Sequence, residues 1–361
     1  MQLIDYLCIH KLISIDQSAY LKLHSTQTAL HRLIDDILEN VNNKEITALC
    51  FLDIRKCFDT IDHKILLTKL YKYGIQNTEL MWFKSYLADR KQVLYCNGAS
   101  STELGVNIGV PQGTVLGPIL FLLYVNDLSN AVKNASINIY ADDVVIYSSH
   151  ENVDILKNQM QDTMNDVFKW YNENRLALSI EKCNTLVVHH NPSEPPPDII
   201  LTRNEIPLCQ VKDVKYLGLT IDSKLHWNKH IASITKRVSM CNANLRRLHK
   251  YVPENILKKI YKATVEPIVD YASTVWGNTH SNLINTIHKL ENRSARAIKC
   301  NYNFIDVRGD DLFADLNFTR FTARRNYSTA VLMYKAIHGL APDYICNKIV
   351  FSYNRPQPSV F

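Results

Sequence analysis

The sequence has no cysteine pairing code, no membrane-length apolar run and no internal repeat. Its nine cysteines are odd in number, show no C-x-x-C spacing and accompany no Cys/His ladder. That pattern argues against a disulfide framework and a zinc module, and leaves reduced core residues as the expectation. The longest apolar stretch, ILFLLYV at Ile119 to Val125, is far short of the ~20 residues that cross a bilayer. No signal peptide opens the chain, so a soluble intracellular protein with no membrane partner is expected. Long low-complexity tracts are missing too. The clearest break is HNPSEPPPD, His190 to Asp198, whose prolines forbid helix and strand interior, so a loop or linker is predicted there.

What is present is enough for a large core. At 361 residues and 46% hydrophobic, the chain is expected to divide into two or three structural units. Its net charge of +6 is unevenly spread. Val211 to Cys300 carries sixteen Lys and Arg against six Asp and Glu, a local +10 that leaves the rest at −4. Such asymmetry suits a polyanion-binding surface beside a carboxylate site, and equally a solvated helix face.

Periodicity supplies the elements. STQTALHRLIDDILENV places Leu30, Leu33, Ile34, Ile37, Leu38 and Val41 on one helical face, with Ser25 as the cap. ITALCFLDI, Ile46 to Ile54, reads as a strand buried on both faces and ending at Asp53. Asp62 is expected to cap a helix closed by Gly74, Asn77 to begin another, and Asn97-Gly98 to turn a hairpin. VLGPILFLLYVNDL reads as a buried helix. A helix from about Val153 to Asn174 turns Ile155, Leu156, Met160, Met164, Val167, Phe168 and Tyr171 inward, and LALSIEKCNTLVVHH reads as a strand. These elements predict an α+β sheet with helices on one face. A hairpin at Arg203-Asn204 follows, and from Trp227 four helical segments broken near Pro253, Gly277 and Asn303 suggest a separate bundle.

One segment conflicts with this pattern. INIYADDVVIY, Ile137 to Tyr147, drives Asp142 and Asp143 into apolar residues on both sides, and dehydrating an ionised carboxylate costs several kcal/mol. Either a cation answers for the pair or the tip of a hairpin holds it in water. The same dipeptide at Asp35-Asp36 and Asp310-Asp311 sits in an amphipathic helical pattern and a polar turn, where water solvates it. Together with Asp53, three carboxylates at strand ends form a candidate all-oxygen site for Mg²⁺. Two such ions about 3.5 to 4 Å apart clamp the attacking and leaving oxygens of a phosphoryl transfer. Because neighbours on a regular strand face opposite ways, both Asp142 and Asp143 serve only if the turn bends the backbone.

FLDIRKCFDTIDH, GVPQGTVLGPILFLLYVNDL and YADDVVIY, in that order, resemble the palm motifs of reverse transcriptases, specifically those of non-LTR (LINE-type) retrotransposons. The resemblance extends through HSTQTAL upstream and NRLALSIEKCNTLVV and VKYLGLTIDSKLHW downstream. It implies a right-hand polymerase fold: partial fingers at 1–45, and a palm with an antiparallel sheet at 46–225 that includes a fingers-like insertion at about 75–105 and the proline loop 190–198. A helical thumb-like region at 226–345 and a tail at 346–361 complete it. Carried over by position, Asp53, Asp142 and Asp143 match the ligands of two magnesium ions, with the Ile54 carbonyl as a further ligand. Phe58 matches the aromatic gate against a ribose 2′-OH; by spacing alone it is equally an ordinary core aromatic. Gln112 and Gly113 match the segment that packs on the incoming nucleotide and template. Lys182 resembles the lysine that protonates leaving pyrophosphate, and Tyr216, Leu217 and Gly218 match the hairpin that grips the primer. The implied partners are an RNA template, a DNA primer or target and deoxynucleoside triphosphates, in a nuclear and cytoplasmic ribonucleoprotein.

The sequence also departs from the family pattern. Met1 falls inside the fingers, no endonuclease domain precedes it and no zinc knuckle follows NRPQPSVF, so an N-terminally truncated chain is expected. Ala19 and Leu21 stand where Gly and Arg are frequent, with Lys22 and His24 substituting in part. Three functions follow as alternatives: an RNA-directed DNA polymerase, a catalytically inactive or domesticated remnant that binds RNA or DNA, and a Mg²⁺-dependent nuclease or phosphatase.

Overall fold

A computed structural model describes residues 2–191, 194–302 and 307–349. Contacts divide the chain into two units. The first holds residues up to Ala29 and Asp35–Val214; the second holds Leu30–Ile34 and the chain from Lys215. The division thus falls inside the segment that the sequence reading drew as one palm region to residue 225. Among the described residues, no helix is long and apolar enough to cross a membrane.

The first unit is built on a five-stranded sheet: β1 (Ile46–Leu52), β2 (Ser136–Tyr140), β3 (Asp143–His150), β4 (Asn184–Val188) and β5 (Cys209–Gln210), in the order β5-β4-β1-β3-β2. All pairings are antiparallel except that of β5 with β4. The apolar run of β1 takes the central position, buried from Thr47 onward, as a strand hydrophobic on both faces must. Its alternation splits the core in two. Ala48, Cys50 and Leu52 face inward with Ile137, Ile139, Val144 and Ile146 to join α5 (Leu116–Val125) and α6 (Val153–Glu173). The opposite face is tied to α2 (Thr26–Asn42). Asn138 donates to the Ala29 carbonyl at 2.9 Å, the Tyr147 hydroxyl to Asp36 at 2.6 Å, and Asn40 to the Thr47 hydroxyl at 3.2 Å. Helices therefore cover both faces rather than the one expected, because Asn138, Tyr147 and Thr47 give the second face polar anchors that periodicity does not register.

The caps read from sequence are present. Ser25 opens α2 in a reciprocal capping box with Thr28, and Asp62 opens α3 (His63–Lys72) by accepting from the backbone of Lys64 and Ile65. α4 (Asn77–Leu87) follows the left-handed Gly74. Asn97 and Gly98, both at positive φ, turn the short Tyr95–Cys96/Ala99–Ser100 hairpin as an Asn-Gly pair does. α1 (Gln2–Ile9) completes the helices of this unit.

Several expectations are corrected. Ile155 and Leu38 are each 44% exposed, since each lies at the rim of its helix's apolar stripe. LALSIEKCNTLVVHH is a strand only over Asn184–Val188; before it, Ser179 accepts from the amides of Lys182 and Cys183 and closes a 3₁₀ turn over Ile180–Lys182. All nine cysteines are free, but only Cys50, Cys57 and Cys183 are buried.

The second unit opens with a hairpin, β6 (Asp213–Tyr216, of which Lys215 and Tyr216 belong here) and β7 (Leu219–Asp222). Helices α7 (Asn228–Leu248), α8 (Glu254–Thr264), α9 (Glu266–Asp270), α10 (Ser273–Trp276), α11 (Ser281–Lys299), α12 (Gly309–Asp315), α13 (Phe321–Ile337) and α14 (Asp343–Cys346) follow. They exceed the four segments expected; the break between α9 and α10, at Tyr271 with φ −56°, ψ 123° and left-handed Ala272, carries no glycine or proline signal. The expected break at Asn303 lies outside the described residues, as do part of the proline loop and most of the tail.

Candidate active site

Two strand ends bring the first two carboxylates together. Leu52, the last residue of β1, pairs with Val144 of β3, so Asp53, just past the end of β1, and Asp143, the first residue of β3, lie at neighbouring strand ends, near enough for the charge of Asp53 to act on Asp143. Tyr140 pairs with Asp143, so Ala141 and Asp142 form a two-residue turn. Ala141 takes φ +55° while Asp142 does not take a positive φ, the pattern of a turn that ordinarily asks for glycine first. Gln17, fully buried, offsets that strain. Its side-chain oxygen accepts from the amides of Ala19 at 2.8 Å and Ala141 at 3.3 Å. The stretch around it is bonded to β2 through Ser18 and Ile139.

The three acids are not equivalent. Asp143 is exposed along one side, yet its carboxyl is pushed up to about 6, by dehydration first and then by the negative charges of Asp142 and Asp53. Asp142 accepts from the Cys57 thiol at 3.5 Å. Burial, with Asp142 as the next cause, pushes that thiol up to about 12. Burial and then Asp142 also raise the Tyr20 hydroxyl. Lys182 stands with its ammonium 3.9 Å from Asp53 and is 71% exposed. It sits at the end of the 3₁₀ turn, held there because the Ser179 amide donates to the Asp53 carbonyl and the Arg55 amide to Ala177.

The loop after β1 is laced to the PQG segment. The amides of Val110 and Gly109 donate to the carbonyls of Phe58 and Ile61 at 2.8 and 2.7 Å, and Gln112 donates to Asp59 at 2.8 Å. Gly109 is required there: at φ +83° a Cβ would come 2.9 Å from the Asp59 carbonyl oxygen. Phe58 is partly buried with its ring 5.0 Å from that of Phe121. Gln112 and Gly113 are exposed, and Gln112 borders a cavity of about 670 Å³ whose cations are Lys56, Arg90 and Lys91.

Lys22 is 78% exposed and pairs with Asp5 at 2.9 Å. Tyr216 ends β6, and Leu217 and Gly218 form the turn of the β6–β7 hairpin in the second unit. Leu217 is at φ +43° and Gly218 at φ +81°, and the Leu217 carbonyl accepts from the Tyr271 hydroxyl at 2.5 Å. Sequence reasoning missed Gln17, Tyr20 and Cys57. Cys57 had a signal, since it lies between Asp53 and Phe58; Gln17 and Tyr20 reach the turn only through the fold.

An α+β sheet that carries its acids at strand ends defines the class. Residues 2–221 match the reverse transcriptase (RNA-dependent DNA polymerase) family, and the chain belongs to it. It is 32% identical over 284 residues to the "Probable RNA-directed DNA polymerase from transposon X-element" of Drosophila melanogaster, covering 76% of this chain and 31% of that protein. The transposon BS counterpart from the same organism is 29% identical over 334 residues, covering 87% of this chain and 35% of that protein. The RNA-directed DNA polymerase of mobile element jockey from Drosophila funebris is 29% identical over 286 residues, covering 76% and 31%. The chain spans about a third of the length of these relatives. Among solved structures it is similar to apo telomerase of Candida tropicalis, with a TM-score of 0.44 at 12% identity over 82% of this chain and 54% of that one.

Proposed function

We propose that this chain is the polymerising segment of a retrotransposon-derived RNA-directed DNA polymerase, which extends a primer 3′-OH with deoxynucleotides along an RNA template. The crowding of Asp143 carries the reading: a partly dehydrated carboxyl raised further by the charges of Asp142 and Asp53, with one exposed lysine beside Asp53, is a site that a divalent cation relieves. The donors are all oxygen, which suits magnesium. Among the described residues, no three His, Cys, Asp or Glu side chains already stand as a ligand set.

Asp53, Asp142 and Asp143, with the Ile54 carbonyl, would hold two magnesium ions, whose chemistry when bound is to acidify the primer hydroxyl and neutralise the triphosphate. Lys182, 3.9 Å from Asp53, hands a proton to the leaving pyrophosphate. Phe58, backed by Phe121, rejects a ribose 2′-OH. Gln112 and Gly113 pack on the incoming nucleotide and its template base, and Lys22 adds positive charge for the triphosphate. Tyr216, Leu217 and Gly218 hold the primer end, and the basic helices after Trp227 contact backbone phosphates. The partners are the RNA template, a DNA primer or target and dNTPs, with nicking supplied by a separate endonuclease domain, in a nuclear and cytoplasmic ribonucleoprotein.

Purified protein with poly(rA)/oligo(dT), labelled dTTP and Mg²⁺ tests this. Incorporation that vanishes in Asp142→Asn supports the polymerase. Salt-sensitive binding without extension supports the inactive remnant instead, and hydrolysis of the primer or template supports the nuclease.

A further inference from the structure

The turn that presents Asp142 and Asp143 begins at Ala141, which is left-handed at φ +55°. A residue with a Cβ disfavours that conformation, and an unbraced turn relaxes out of it, carrying both carboxylates along. Ala141 is 6% exposed, so its amide needs an acceptor from the protein. The acceptor comes from a distant part of the chain within the same unit: Gln17 is fully buried, and its Oε1 takes the Ala141 amide at 3.3 Å and the Ala19 amide at 2.8 Å.

Two N–H groups converge on one end of the Gln17 carboxamide, which makes that end the oxygen. The other end, Nε2, is buried without a partner. An orphaned buried donor destabilises a fold, and a methionine or leucine of similar size would carry none. The carboxamide thus serves the turn and weakens the core. Its own place is fixed on both sides. The Ser18 amide donates to the Ile139 carbonyl and the Ile139 amide to that of Asp16, each at 2.9 Å, which lays this stretch along β2 as a short parallel edge. Upstream, the Gln17 amide donates to the Ser14 carbonyl at 3.1 Å, and the Ser14 amide donates to Oδ1 of Asn126, just past α5, at 2.8 Å.

We propose that Gln17 is a positioning residue for the acidic site: its oxygen pins Ala141 in the left-handed turn and so sets the directions in which Asp142 and Asp143 point. It acts through the backbone of Ala141. The kinetic consequence rests on the polymerase reading, whereas the brace is a property of the metal-free fold.

Gln17→Met keeps the length and bulk of the side chain and removes the acceptor. In poly(rA)/oligo(dT) extension its kcat should fall by about ten- to a hundredfold, with the Mg²⁺ requirement raised and the KM for primer–template unchanged. Ala141→Gly reaches a positive φ without strain, so in the Gln17→Met background it should recover kcat by at least about threefold. A side chain that merely filled the core would not be rescued by a glycine 124 residues away. Hydrogen exchange in EDTA reads the brace without activity. The Ala141 amide should exchange slowly in the wild type and at least about tenfold faster in Gln17→Met, with exchange over β1 unchanged. A freely exchanging Ala141 amide in the wild type, equal exchange in the two chains, wild-type kcat in Gln17→Met, or a loss that Ala141→Gly leaves untouched would overturn the proposal. A wild-type chain that extends no primer counts against the polymerase reading alone, and the exchange comparison then decides the brace.

Discussion

Two acidic clusters, one in each unit, are handled in opposite ways. In the second unit Glu291 is 1% exposed and fully answered: its carboxylate accepts from the Phe321 amide at 2.8 Å, from Arg324 at 3.2 Å and from Arg320 at 3.5 Å. Burial raises Glu291, and the arginines act against that. In the first unit Asp143 faces two more acids and no comparable cation. In the other aspartate pairs, Asp36 accepts from the Tyr147 hydroxyl and Asp310, 73% exposed, pairs with Arg320. A charge answered by the protein holds the fold together, whereas a charge left unanswered holds something else.

The comparison breaks most readily at Asp143. Asp143→Asn should cut deoxynucleotide incorporation by at least about a hundredfold and, in chelator at neutral pH, leave the melting temperature unchanged or higher. A marked fall in Tm would instead make the carboxylate structural. Glu291→Gln should do the reverse, costing about 1 to 3 kcal/mol in urea unfolding because two half-buried arginines lose one of their carboxylates.

Acidity sharpens the contrast. Asp143 has a folded-state value of about 6 against 3.8 for an ordinary carboxyl, so the folded state binds the proton more tightly. Metal-free stability from this group is present at low pH and is lost as pH rises through 6. Melting in EDTA across that window should show the slope in the wild type and lose it in Asp143→Asn.

Phe58→Ala should have a smaller effect. It should raise ribonucleotide use by about tenfold and cost about 1 kcal/mol through the lost Phe121 contact. An unchanged sugar preference would return Phe58 to the core. The smallest effect is expected at Lys22, whose exposed pairing with Asp5 implies no measurable change in Tm for Lys22→Met. A raised KM for dNTP would mark it as a substrate contact.

Much of the fold was legible because it is written locally. The caps at Ser25 and Asp62, the left-handed Asn97-Gly98 turn and the apolar run of β1 each need only neighbouring residues to specify them. Lys182 was misread as a strand residue because Ser179 closes a turn that alternation hides. The second helical layer rests on Asn138, Tyr147 and Thr47, and a pattern of apolar residues does not register polar side chains buried by distant carbonyls and hydroxyls.

The sequence by itself determined that Asp142 and Asp143 interrupt an apolar run, where either a turn into water or a cation must answer for them. It also determined the family, through three motifs in order. Only the tertiary structure decided that the end of β1 lies beside the start of β3, and that Gln17 braces the turn. Register and bracing arise when segments far apart in the chain are brought into contact, and a linear pattern holds no record of that distance.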